Sequence, residues 1–253
     1  MPGSAAWFIA PSGSPPRSRK ASLAGCNALP FGAAHIGIIA AIPALAALLA
    51  LAIRRGGTVA GAAIRLGLGA ALAVNELAWY AYRLRHEGFR FPDGLPLHLC
   101  DVALWLTVVA CIRTVPRVYE LAWYFGVCGS GAAVITPDLW APWPSYPTIQ
   151  FFVAHGLVVA AVLAMTWGGI LRPGPGSAWR ALLVLNAYAA AVGAFNAYFG
   201  TNYLYLCRKP AGFSPLDWFG PWPYYLMAGE ALAAAAFLLL WLPFRRPAGT
   251  RLS

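Results

Sequence analysis

The chain has 253 residues, of which 60% are hydrophobic and only 10% are charged. A soluble domain keeps about a quarter of its residues charged to cover itself against water, so a soluble globular protein is excluded and most of the surface must face lipid. The formal charge of +10 sits in short clusters between apolar runs and not along one polar face, which excludes a nucleic-acid partner and points to membrane topology.

In chain order, residues 1–32 are rich in Pro, Ser and Gly and have no apolar core of signal-peptide length before the basic cluster Arg17, Arg19 and Lys20. They are expected to form a disordered tail. A spanning helix needs about 20 mainly apolar residues, and residues 33–244 offer about seven such stretches: 33–53, 62–82, 95–114, 119–136, 148–170, 179–199 and 223–243. Breakers separate them, among them RRGG, FPDG, PDLWAPWPSYP and RPGPG. The expected fold is therefore all-α, a single polytopic helix bundle followed by a short basic tail at 245–253.

Seven spans place alternate connections on one side. Arg54 and Arg55, Arg113 and Arg117, Arg172 and Arg180, and Arg245, Arg246 and Arg251 share one side; Arg83, Arg85 and Arg90, and Arg208 with Lys209, share the other. The richer side is expected to be cytoplasmic, which puts the C-terminus in and the N-terminus out, as in a bacterial cytoplasmic membrane. Trp140, Trp143, Trp218, Trp222, Tyr224 and Tyr225 are expected at the membrane interface.

Ionisable groups in the hydrocarbon layer cost about 2.5–3.5 kcal/mol each on insertion scales, so their depth is informative. Cys100 and Asp101 open the third span, Gln150 and His155 the fifth and Glu230 the seventh, while Glu76 closes the second and Asn196 the sixth. Odd spans begin and even spans end on one side, so all these groups fall in one half of the bilayer. A polar cavity there is the expectation. His98 and Asp101, three apart, share a helix face, whereas Cys100 lies on the stripe of Leu104, Thr107 and Cys111. A base for Cys100 must then come from another helix, and His155 has the right depth.

Two readings of these residues stay open. In the first, Cys100 is an acyl-transfer nucleophile, His155 its base, and Asn196 or Asn202 an oxyanion donor, with His98, Asp101, Glu76, Gln150 and Tyr203 lining or orienting the pocket. Arg208 and Lys209 would hold a phospholipid headgroup. In the second, the cluster around Glu76, His98, Asp101 and His155 binds a solute or relays protons in a transporter. Each residue also has a plainer role: Cys100 as a small apolar side chain, His155 as a bond across a helix interface, Glu76 and Glu230 as partners of Arg65 or of Asn and Tyr groups, and Arg208 with Lys209 as interfacial anchors. The five cysteines have neither CxxC nor zinc spacing, and no metal or cofactor is expected.

At LPLHLC, GTNYLYLCRKP and DWFGPWPYY the chain resembles the YwaF-like family of bacterial integral membrane proteins over about residues 33–243. That family is in turn similar to the eukaryotic transmembrane protein 164 family of cysteine-dependent phospholipid acyltransferases. The resemblance implies an acyltransferase acting on membrane phospholipid, with Cys100 in the place of the nucleophile and His155 in that of its partner.

Overall fold

The computed structural model describes residues 31–139, 141–210 and 214–245. The expectations for the N-terminal tail before residue 31, for Trp140 and for the basic residues after Arg245 lie outside the described residues.

Helix α1 runs from Ala33 to Glu87. A straight helix of that length would extend about 80 Å, far beyond the roughly 30 Å hydrocarbon layer. It is broken inside the RRGG stretch at Gly57, whose φ of 67° belongs to the left-handed region that glycine alone enters without strain. The chain doubles back there. A methyl placed on Gly61 would lie 3.5 Å from the side chain of Ile53, eight residues earlier, where a straight helix would separate them by about 12 Å. At the far ends, His35 packs on Phe152 and Tyr82 on Tyr146. The two halves, 33–56 and 58–87, are therefore an antiparallel pair, and they correspond to the first two expected spans.

Helix α2, Leu99–Arg113, ends at Thr114, which is left-handed and is followed two residues later by Pro116. Helix α3, Pro116–Tyr124, passes through a π-helical turn, Phe125–Ser130, into α4, Gly131–Ile135. The widened turn brings Gly126 so close to α5 that an added Cβ would stand 2.9 Å from Val158. Helix α5, Tyr146–Trp167, is apolar around its circumference and takes the centre, against both halves of α1 and against α2 and α3. Helices α6, Ser177–Phe199, and α7, Tyr224–Trp241, complete the bundle. Large apolar side chains such as Leu48, Val59, Leu183, Met227 and Leu239 are exposed on the outside, the arrangement of a surface solvated by lipid.

Among the described residues, five helices are long and apolar enough to cross a membrane. The expected number of seven is not reached by that criterion for two physical reasons: the first two expected spans are the two arms of α1, and α2 has only 15 residues, about 22 Å of helix. Boundaries elsewhere follow the apolar runs, with Pro116–Ile135 for 119–136 and Ser177–Phe199 for 179–199.

The end of the bundle that holds Gly57 is pinned by polar contacts. Glu120, 4% exposed, receives Arg180 Nη2 at 2.8 Å and Arg117 Nη1 at 3.1 Å, together with the N–H of Gly174 at 3.3 Å. Arg65 donates to the carbonyls of Cys111 and Ile112, the last turn of α2, where a helix presents unsatisfied carbonyl groups. Arg65 therefore has no part in binding Glu76, which lies eleven residues up the same helix. The other suggested acid, Glu230, accepts from Asn186 Nδ2 at 2.7 Å and is structural.

Candidate functional site

At the opposite end, the entrance of α2 and the first turns of α5 face the upper part of α1 across a cavity of about 910 Å³, which residues of 203–210 and 214–218 also line. Why α2 begins where it does is local: Asp101, in its first turn, accepts the main-chain N–H of His98 at 3.1 Å, a reciprocal of N-capping that also places a carboxylate near the positive end of the helix. His98, Cys100, Asp101 and Leu104 all line the cavity. Both the face of His98 and Asp101 and that of Cys100 and Leu104 thus contribute to one lining.

Cys100 occupies the second position of α2. His155, on α5, lines the same cavity. Its Nδ1 lies 2.7 Å from the carbonyl oxygen of Phe151. A carbonyl only accepts, so Nδ1 carries the proton and Nε2 is left with its lone pair. No hydrogen bond joins Cys100 directly to His155. Glu76 and Gln150 complete the deep lining. Glu76 is 3% exposed, and its Oε1 has no hydrogen-bond partner among the described residues.

The roof is Tyr203, Tyr205 and their neighbours. Asn196 accepts the N–H of Tyr203 at 2.9 Å, donates to its carbonyl at 2.9 Å, and accepts Thr201 Oγ1 at 2.7 Å. Tyr203 in turn donates its hydroxyl to the carbonyl of Pro92 at 2.7 Å and accepts the N–H of Leu95, which ties residues 201–206 to the loop before α2. Leu204 and Tyr205 both have positive φ, a strained conformation for such residues that the surrounding bonds must hold. One is from Tyr225, whose hydroxyl donates to the Tyr205 carbonyl at 2.6 Å. Burial, and after it the carboxylate of Asp138, push the Tyr205 hydroxyl up to about 12, so it stays protonated and donates to Asp138.

Several expected roles change with this geometry. Asn196 stands behind Tyr203, outside the cavity lining, with its amide engaged. Asn202 accepts the N–H groups of Cys207 and Arg208 and donates to the Arg208 carbonyl, closing a turn. Neither amide lines the cavity, so neither is placed to serve an oxyanion there. Lys209 pairs with Asp217 at 3.6 Å and lies over the Tyr225 ring, and Arg208 is exposed; neither lines the cavity. Tyr225 is buried, whereas Trp218, Trp222 and Tyr224 are exposed. Cys111 is buried against Met165, and Cys128 packs beside the core. No group of three or more potential metal ligands occurs among the described residues.

Among the lining residues that the sequence does not assign to the pocket are Tyr80 and Arg83. Both follow Glu76 on one stripe of α1, at four and seven residues, a spacing that was open to inspection.

A lipid-facing helix bundle with a cavity in one half, lined in part by ionisable side chains, defines a polytopic membrane protein with an internal site. The model of the TMEM164 family matches residues 30–241, and the chain belongs to that family. Searches of curated proteins and of solved structures give no match.

Proposed function

We propose that the protein is a membrane-embedded transferase that moves an acyl chain between phospholipids through Cys100. The observation that carries this reading is that Cys100, at a helix entrance, and His155, with Nε2 unbonded, line one cavity of about 910 Å³. Cys100 Sγ attacks the carbonyl carbon of a lipid ester as its proton passes to His155 Nε2. The carbon–oxygen bond then breaks, and the leaving alcohol takes that proton. An acceptor hydroxyl next attacks the thioester, His155 removes its proton, and the carbon–sulfur bond breaks to restore the thiol. The first-turn N–H groups of α2 are the donors nearest the oxyanion, a role the two asparagines do not fill. Following the charge bias of the loops, the cavity lies in the outer half of the membrane.

The test is intact-protein mass spectrometry after incubation with a phospholipid bearing an isotopically labelled acyl chain. A hydroxylamine-labile adduct of acyl mass on the wild type and none on Cys100→Ala is expected; absence of both adduct and lipid product rejects the reading. Glu76, buried with one oxygen unpaired, favours a second reading in which the cavity binds a solute for transport. Uptake or exchange that survives Cys100→Ala would select it.

A further inference from the structure

We propose that Arg83 is the phosphate-binding residue of the cavity and anchors the headgroup of a bound phospholipid; this deepens the acyl-transfer reading and rests on it. Arg83 is the one Lys or Arg side chain among the described residues that line the cavity. Its Nε donates to Glu87 Oε2 at 3.3 Å, while neither Nη group has a partner among the described residues. Five donors on a planar fork, only one of them engaged, are the arrangement that receives phosphate oxygens in pairs.

Depth supports the same assignment. Arg83 lies seven residues beyond Glu76, toward the membrane surface, or about 10 Å along the helix. Glu76 and Cys100 therefore stand at the level of acyl chains and esters while Arg83 reaches the level of the phosphate. The remaining charged lining opposes an anion: Glu76, Asp93, Asp101 and Asp138 are all carboxylates. A phosphate is thus held there by one guanidinium and not by the general field of the cavity. Lys209 cannot substitute, being paired with Asp217 away from the lining.

The experiment uses the full chain carrying Cys100→Ala, in an uncharged detergent, with quenching of tryptophan fluorescence as the signal, since Trp79 lines the cavity. Dihexanoylphosphatidylcholine, which has a phosphate but no net charge, is titrated against dihexanoylglycerol, which lacks the headgroup, and against inorganic phosphate. The expected result is a preference of about 10- to 100-fold for the phospholipid, the size of one charge-assisted interaction. Arg83→Gln should abolish that preference while leaving dihexanoylglycerol binding unchanged. Glu87→Gln, which removes the partner of Arg83 but not the fork, should keep it. A preference that survives Arg83→Gln, or one lost equally in Glu87→Gln, overturns the assignment and leaves the acyl-transfer reading standing. Binding of inorganic phosphate as tight as that of the phospholipid overturns the headgroup assignment in favour of a free anion. No binding of either lipid to the reference protein overturns both this proposal and the function beneath it.

Discussion

Asn196 holds Tyr203 by both of its main-chain groups, N–H and carbonyl, at 2.9 Å each. One amide at the end of α6, 1% exposed, thereby fixes the start of the segment that roofs the cavity. Its replacement by Ala takes the acceptor from the Tyr203 N–H and the Thr201 hydroxyl, at about 1–3 kcal/mol for each group so abandoned, while the Tyr203 carbonyl keeps the N–H of Leu206 at 3.4 Å. Asn196→Ala is expected to lower the thermal midpoint in detergent and to raise hydrogen exchange across 201–206. A midpoint and exchange pattern equal to the wild type would show that the roof is held by other contacts.

Tyr203 tests the same roof from its other side. Tyr203→Phe removes the bond to the Pro92 carbonyl and the acceptor for Leu95 N–H, but keeps the ring beside His98. A loss of about 1–2 kcal/mol is expected, smaller than for Asn196→Ala, with increased exchange at Leu95. An effect larger than that of Asn196→Ala would reverse the assigned order of the two residues.

The Glu120 cluster makes a separate statement about stability. Glu120 is buried and carries two arginines, so Glu120→Gln removes the charge that both pair with. A fully buried pair broken on one side costs about 3–5 kcal/mol; Arg180 retains 36% side-chain exposure, and solvent reduces the cost to about 1–3 kcal/mol. Chemical denaturation should register this loss while the alkylation rate of Cys100, at the other end of the bundle, stays unchanged. A change at Cys100 would reveal coupling between the two ends.

How much of this was legible in the sequence follows from what each feature depends on. The spans were readable because apolar length is a one-dimensional requirement of the bilayer, and the RRGG break gave the turn at Gly57. The cavity was readable as well: depth along alternating spans brought Glu76, Cys100, Asp101, Gln150 and His155 to one side, and the fold places all five on one lining. The roles of Asn196, Asn202 and Lys209 were not readable. Their partners are main-chain groups and Asp217 in an irregular segment whose path no periodicity encodes. The stripe Glu76, Tyr80, Arg83 is legible by helical spacing, but an arginine near the end of a span serves topology equally well, so spacing alone does not place it in the cavity.

The riskiest expectation concerns the thiols. Cys111 is buried against Met165 with its sulfur donating to a thioether, and Cys128 packs beside the core; an apolar setting disfavours thiolate and makes such a sulfur inert. Cys100 instead lines the cavity at the entrance of α2, together with a histidine whose Nε2 is free to take a proton. Limited alkylation by a small membrane-permeant reagent, followed by mass spectrometry, is expected to label Cys100 at least about tenfold faster than Cys111 or Cys128. His155→Ala should slow Cys100 alone, and His155→Gln, which retains a polar side chain of similar reach, should slow it equally if proton acceptance and not packing is the cause. The thermal midpoints of both variants separate this from loss of fold. Uniform labelling of the three membrane cysteines, or a Cys100 rate unmoved by either substitution in a folded protein, would remove His155 from the chemistry and favour the transport reading of the cavity.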